Sequence, residues 1–128
     1  MKITIFIFIL LFSNVTYCCV VAKSGPEYDS LISVKKIGHN AFKVSFPKSA
    51  SGLNHGVSIE AVYYKEKSEY RLGEFRKYIE LQDGGENYES IFDLVKINGY
   101  IPYVLVYWKP KLGGRCGAFG KSRDLEVE

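Results

Sequence analysis

Hydrophobic and polar residues alternate with a period of two along most of the chain beyond residue 30. In the clearest run, Phe42, Val44 and Phe46 are separated by single residues with polar side chains, and Pro47 ends the run. Successive side chains of a β-strand point to opposite faces, so this period predicts strands that are buried on one side. Runs of this kind lie at 31–37, 42–46, 57–64, 73–81, 88–97, 100–109 and 125–127.

Turn-forming residues separate these runs. The segments 47–56 and 82–87 are rich in Gly, Asn, Asp and Ser, and Asn98-Gly99 is a dipeptide that favours a tight turn. No stretch clearly shows the 3.6-residue period of a helix, so we predict no helix. About seven or eight short strands at this spacing predict an all-β fold, an antiparallel β-sandwich of the immunoglobulin or fibronectin type.

The first 22 residues have the pattern of a secretory signal peptide. Lys2 is followed by an apolar stretch from Ile3 to Phe12, and Ala22 provides a small residue just before a cut. The apolar stretch is about half of the roughly 20 residues that span a bilayer, so we expect secretion and no membrane insertion. The predicted organisation is a signal peptide at 1–22, a flexible polar leader at 23–30 and one β-sandwich domain at 31–128.

The cysteines that remain depend on where the signal peptide is cut. If the cut follows Ala22, only Cys116 of the three cysteines is left, and no disulfide can form within the chain. Cys116 is then either a free thiol or the link of a disulfide-bonded dimer. A cut after Tyr17 or Cys18 would instead leave one or two further cysteines at the new N-terminus.

The distribution of charge and the spacing of the Cys and His residues argue against several classes of partner. Without Lys2, 16 of the 17 basic residues remain against 14 acidic ones, and the two signs are interspersed. Nucleic acids and anionic membranes demand a basic patch, so neither is an expected partner. His39 and His55 lie in turn-like contexts and no Cys or His spacing matches a metal site, so we expect no metal and no other cofactor.

The side chains favour binding over catalysis. Glu60, Glu74, Glu80 and Asp93 each occupy a polar position where a solvent-facing residue is expected, and no nucleophile motif surrounds Cys116, so we expect no enzyme activity. Aromatic residues are abundant, because the chain beyond residue 22 keeps 9 of 10 tyrosines, 5 of 8 phenylalanines and the tryptophan. Rings exposed on a sheet can form the floor of a sugar site.

Four segments occur in an order that matches one family. Residues 43–47, KVSFP, look like R-V-S-I-P, and residues 56–61, GVSIEA, are similar to G-F-S-L-F-A. Residues 73–79, GEFRKYI, fall on G-x-W-x-R-D-I, and residues 96–115 align without a gap on K-I-G-D-x-I-Y-F-W-T-Y-V-I-K-x-G-L-G-Y-R. In this order and spacing the chain resembles the N-terminal domain of the arthropod β-1,3-glucan recognition proteins, which is carbohydrate-binding module family 39.

The resemblance implies an immunoglobulin-like sandwich that binds β-1,3-glucan or a related microbial polysaccharide. It also implies a secreted, non-catalytic pattern-recognition module of innate immunity, with an immune-signalling protein as a further partner. In most members of the family a glucanase-like domain follows this module. The present sequence shows no such segment and therefore resembles the short, stand-alone members.

Site residues are carried over position by position, and some differ. Arg115 matches the arginine of the family after L-G-Y, and Glu74 keeps an acid where many members have one. The aspartate of R-D-I is replaced by Tyr78 and the tryptophan of that motif by Phe75. The ligand-facing tryptophan of the family's Y-F-W-T-Y strand is replaced by Val104.

Trp108 offers a replacement for the missing ring. It lies four residues after Val104, so in a strand both side chains share a face, together with Val106. The indole is then either a displaced aromatic platform for the sugar or a core residue. The predicted sugar-contact residues are Glu74, Tyr78, Trp108 and Arg115.

A protein-interaction module is the alternative function. In that case the sandwich has kept the fold and lost the sugar, and its strands or an unpaired edge meet a protein partner. The replacements at Tyr78 and Val104 favour this alternative. Burial of Trp108, with no exposed ring near Arg115, would strengthen it.

Overall fold

Two β-sheets pack face to face in the protein. The computed structural model describes residues 22–50, 55–69, 72–110 and 116–128, with side chains at all of these positions except 55 and 56. The elements in chain order are β1 (Lys23–Ser24), α1 (Pro26–Asp29), β2 (Ser33–Gly38), β3 (Ala41–Pro47), β4 (His55–Lys65), β5 (Gly73–Tyr78), β6 (Gln82–Asp83), β7 (Asn87–Asp93), β8 (Tyr100–Lys109) and β9 (Ala118–Lys121). The all-β sandwich predicted from the sequence is confirmed.

The strands are divided between a five-stranded and a four-stranded sheet. The five-stranded sheet has the order β1-β9-β8-β4-β5, and the four-stranded sheet has the order β2-β3-β7-β6. All pairings between the described strands are antiparallel except that of β1 with β9, which is parallel. The long strands β4 and β8 pair along most of their length and form the centre of the five-stranded sheet.

Alternation along the strands fills the space between the sheets. Val44 and Phe46 from β3 meet Ile59 and Ala61 from β4 in one core cluster. Trp108 belongs to the same cluster, is 0% exposed, and donates its indole N–H to the Pro47 carbonyl oxygen at 2.8 Å. The tryptophan is therefore a core residue that connects the two sheets.

The opposite side of the five-stranded sheet, which points away from the four-stranded sheet, is called the outer face below. A second hydrophobic cluster lies there, formed by Val62 and Tyr64 of β4 with Tyr103 of β8. Residues Ile101 and Leu105 of β8 pack against it. Odd-numbered and even-numbered residues of β8 thus take opposite faces, as the alternation predicts.

Residues 23–30 are part of the fold, so the prediction of a flexible leader is wrong. Lys23 pairs with Ala118 of β9 in β1, and residues Pro26–Asp29 form one helical turn. Tyr28 is buried, with its ring centroid 6.3 Å from that of Trp108. Gly25 and Pro26 are typical of a loop, but burial of the Tyr28 ring fixes this segment against the core.

The C-terminal part also differs from its prediction. The last strand is β9, in a glycine-rich stretch where no strand was predicted, and residues 122–128 contain no strand although 125–127 were predicted to form one. Leu125 is instead buried outside a strand, and its N–H donates to the Pro102 carbonyl oxygen at 2.8 Å. The tight turn predicted at Asn98-Gly99 is confirmed by the Tyr100 N–H, which donates to the Ile97 carbonyl oxygen at 3.1 Å.

Cys116 is disulfide-bonded. Of the two alternatives that the sequence left open for Cys116, a free thiol is therefore excluded. In the part of the chain that the structure describes, no helix has the length and apolar character needed to cross a membrane.

Candidate ligand-binding surface

Strand β5 carries two of the predicted contact residues along one edge of the five-stranded sheet. It pairs with β4 and, among the described strands, with no other. Phe75 lies opposite Tyr63, on the side of the core, whereas Tyr78 lies opposite Glu60 and therefore on the outer face. Tyr78 is 79% exposed, which leaves most of its ring open to a ligand.

One row of the outer face crosses four strands. Tyr78 is in register with Glu60, Glu60 with Leu105, and Leu105 with Lys121. Neighbouring strands are about 4.8 Å apart, so this row extends over about 14 Å. It presents a phenol ring, a carboxylate, an apolar side chain and an ammonium group side by side.

Charged groups on this face are oriented by contacts within the sheet. The Arg76 Nη1 donates to the Glu60 Oε2 at 3.0 Å, and the two residues lie on adjacent strands. The Lys121 ammonium lies 5.9 Å from the centroid of the Tyr103 ring, a distance that suits a cation–π contact. The Arg76–Glu60 ion pair still has donors and acceptors for a polar ligand, because one hydrogen bond does not use all the N–H groups of Arg76 or all the lone pairs of Glu60.

A pair of rings lies further along the same face. Tyr107 of β8 is in register with Phe119 of β9, and their rings stack with centroids 4.5 Å apart at an interplanar angle of 26°. Both side chains are partly exposed. Since Tyr107 lies two residues from Leu105 on the same strand, the pair borders the row that contains Tyr78.

Glu74 lies at the edge of the sheet, in contact with a different set of residues. Its Oε2 accepts a hydrogen bond from the Tyr100 hydroxyl at 2.8 Å, and Lys65 Nζ lies 3.9 Å from its Oε1. The hydrogen bond to Glu74 raises the pKa of Tyr100 above its ordinary value of 10.0. Phe75 is 47% exposed and meets the Tyr100 ring edge-on at 4.9 Å.

The four predicted contact residues are not brought together in one site. Tyr78 and Glu74 share β5, about 13 Å apart at 3.3 Å per residue. Trp108 lies in the core, and the prediction that its ring contacts sugar is wrong because no part of the ring reaches the surface. Arg115 lies outside the described residues.

Sequence reasoning missed most of the outer face. Alternation along β8 is the one signal that could have found Tyr107, because it places this residue on the face opposite the buried Trp108. The proximity of Arg76 to Glu60, and of Lys121 to Leu105, depends on the register of separate strands. No local pattern contains this information, because pairing in a sheet joins residues far apart in the sequence.

A cavity of about 460 Å³ lies elsewhere, at one end of the sandwich between the 95–102 stretch and the 124–127 stretch. Tyr63 lines it, and the Tyr63 hydroxyl donates to the Val95 carbonyl oxygen at 3.0 Å. Among the residues that the structure describes, no group of three or more His, Cys, Asp or Glu side chains is placed to hold a metal ion.

Comparisons with known proteins identify no relative: no protein-family model, no curated protein and no solved structure matches the chain.

Proposed function

We propose that the protein is an extracellular, non-catalytic module of innate immunity that binds β-1,3-glucan or a related microbial polysaccharide on the outer face of its five-stranded sheet. The observation that carries the proposal is the row that joins the exposed Tyr78 ring to Glu60, Leu105 and Lys121. The ordered motifs that resemble family 39 support the choice of ligand.

The chemistry of the outer face suits a neutral sugar chain. The C–H faces of a pyranose pack on an aromatic ring, and its hydroxyl groups pair with carboxylate, guanidinium and ammonium groups nearby. Tyr78 and the Tyr107–Phe119 pair supply rings, and Glu60 and Lys121 supply polar groups in the row that begins at Tyr78. A surface about 14 Å wide can contact several sugar units, which fits a polymer better than a monosaccharide.

The test is a pull-down of the secreted protein on insoluble β-1,3-glucan, with cellulose and chitin in parallel. Tyr78→Ala is expected to weaken capture about tenfold, since it removes the one aromatic ring of the row. Ile91→Ala is the matched control, because Ile91 is 60% exposed but belongs to β7 of the other sheet. The proposal fails if the wild-type protein stays in the supernatant with all three polysaccharides.

Ionic strength provides a second check on the ligand. A neutral polysaccharide offers no charge to Arg76 or Lys121, so capture is expected to change little between low and moderate salt. Steep loss of capture with added salt would point to an anionic polymer instead.

A protein-interaction module remains the second candidate, and two observations favour it. Trp108 is buried, so the indole cannot replace the ring that the family places at the position of Val104. Strand β5 also has one edge that pairs with no other described strand, and Phe75 is exposed on it. Exposed edges can accept a strand from a partner protein.

A photo-crosslinking residue at position 75 tests this second candidate. In extracellular fluid from the host, the labelled protein is expected to give protein adducts from position 75 and none from the same label at position 91. Equal adducts from both positions, or adducts from neither, would count against recognition at the β5 edge.

A further inference from the structure

The disulfide of Cys116 constrains how the N-terminus is processed. The chain contains three cysteines, and the other two are Cys18 and Cys19. Cys116 is bonded. A bond within one chain therefore requires Cys18 or Cys19, and both lie before the predicted cut after Ala22.

The described backbone brings the N-terminal strand to the neighbourhood of Cys116. Strand β1 runs parallel to β9 with Lys23 in register with Ala118, and the Lys23 N–H donates to the Gly117 carbonyl oxygen at 2.9 Å. Gly117 directly follows Cys116 in the sequence. The chain thus enters the sheet beside the residue that carries the disulfide.

The distance is compatible with a bond to either cysteine. Cys19 lies three positions before Ala22, which gives a reach of at most about 10 Å, and Cys18 reaches one residue further. The Cα atoms of a disulfide lie about 5.5–6 Å apart. A short connection from β1 to Cys116 therefore needs no rearrangement of the described strands.

From these observations we infer that the mature protein keeps at least one of Cys18 and Cys19, and that an intramolecular disulfide joins this cysteine to Cys116. The signal peptide is then cut before the bonded cysteine and not after Ala22. The bond closes a loop of about 97 residues (116 minus 19) and fixes the N-terminus to the segment between β8 and β9. The inference does not depend on the identity of the ligand.

The bond forms by thiol–disulfide exchange with a disulfide oxidoreductase of the secretory pathway. The thiolate of one cysteine attacks the disulfide of the oxidoreductase, forms a mixed disulfide and releases one enzyme thiolate. The second cysteine then attacks as a thiolate and displaces the other enzyme sulfur. Two thiols of the protein are oxidised to one disulfide, and the oxidoreductase leaves as a dithiol with the two protons.

The experiment is peptide mapping of the secreted full-length product by mass spectrometry, with alkylation before and after reduction. We expect an N-terminus at or before Cys19 and a crosslinked peptide that joins Cys116 to Cys18 or Cys19. Without reduction, Cys116 is expected to resist alkylation completely. Because this measurement uses the wild-type protein, it does not depend on the folding of a variant.

Single Cys18→Ser and Cys19→Ser variants then identify the partner. One of them is expected to make Cys116 reactive to the alkylating reagent, and the other is the matched control that leaves Cys116 protected. An N-terminus at Lys23 in the secreted protein would overturn the inference. So would an alkylated Cys116 in the unreduced wild type, or a Cys116 linked to a second chain.

Discussion

Trp108 illustrates why an isolated aromatic residue is a weak indication of a ligand. Its ring meets Phe46 edge-on, with centroids 6.1 Å apart at an interplanar angle of 83°, and its indole N–H reaches the Pro47 carbonyl oxygen. Tyr28 covers another side of the indole. The tryptophan therefore contributes apolar burial, ring contacts and one hydrogen bond to folding.

Trp108→Phe is expected to destabilise the protein by about 2 kcal/mol or more. The substitution leaves a cavity where the larger indole packed, and it leaves the Pro47 carbonyl without its donor. Urea unfolding followed by circular dichroism measures the change. Tyr78→Phe on the outer face is the control and is expected to stay within about 0.5 kcal/mol of the wild type. Equal midpoints for the wild type and Trp108→Phe would contradict the core role.

Ionisation of the Tyr63 phenol lowers the stability of the folded protein at alkaline pH. Burial raises the pKa of the Tyr63 phenol above its ordinary value of 10.0. A raised pKa means that the neutral phenol is favoured in the folded state. Its contribution to stability is fully present below pH 10 and is lost as the pH rises through the folded-state pKa.

Tyr63→Phe is therefore expected to change the pH dependence of stability as well as its size. Near neutral pH the variant should be less stable by about 1 kcal/mol, because the hydrogen bond to Val95 is lost. Above pH 10 the difference from the wild type should shrink, since phenylalanine does not ionise. Urea unfolding at a series of pH values checks this, and a difference that grows above pH 10 would contradict it.

Strand β9 forms because glycine permits close packing inside the sandwich. A Cβ atom at Gly120 would lie 2.7 Å from Ile32 Cδ1, 2.8 Å from the Tyr28 carbonyl oxygen and 3.2 Å from Trp108 Cζ3. Strand β9 therefore packs closely against the N-terminal helical turn and the core tryptophan at Gly120. Glycine usually weakens a strand, but at position 120 the neighbouring atoms leave no room for a larger residue.

Gly120→Ala is expected to destabilise the protein by about 1–3 kcal/mol, because the added methyl group forces Ile32, Trp108 or the backbone to move. Gly38→Ala is the matched control in β2. A Cβ atom at Gly38 would meet only the Ala41 Cβ, at an ordinary 3.5 Å. The control is expected to be neutral or to stabilise by up to about 1 kcal/mol. Thermal unfolding of both variants checks this prediction, and equal changes in their unfolding midpoints would contradict the packing argument.

Local alternation predicted the strands but could not predict their neighbours. Strand β8 begins and ends where the sequence pattern indicates, because the period of two is a property of each strand alone. The same pattern places Trp108 and Tyr107 on opposite faces of β8, but it does not show which of the two faces the four-stranded sheet covers. The row from Tyr78 to Lys121 likewise needs three strand registers, and each joins residues distant in the sequence.

The C-terminal segment 122–128 connects the two sheets of the sandwich. On one side, the Ser122 N–H donates to the Val104 carbonyl oxygen at 2.9 Å, and the Leu125 N–H donates to that of Pro102. On the other side, Asn40, in the turn between β2 and β3, exchanges two hydrogen bonds of 2.8 Å with the backbone of Glu128. The segment is therefore hydrogen-bonded to both layers although it contains no strand.

Leu125 anchors this connection, because its side chain is 5% exposed and belongs to the main core cluster. Leu125→Ala is expected to destabilise the whole domain by about 2–5 kcal/mol and to lower the thermal midpoint in a single transition, since both sheets lose the same contact. Glu126→Ala, at an exposed neighbouring position, should change stability by less than about 0.5 kcal/mol. If Leu125→Ala only increased proteolysis at the C-terminus and left the midpoint unchanged, the segment would be an appendage of the sandwich. A fall in the midpoint, with the same loss of secondary structure as in the wild type, would show that residues 122–128 are part of the cooperative fold.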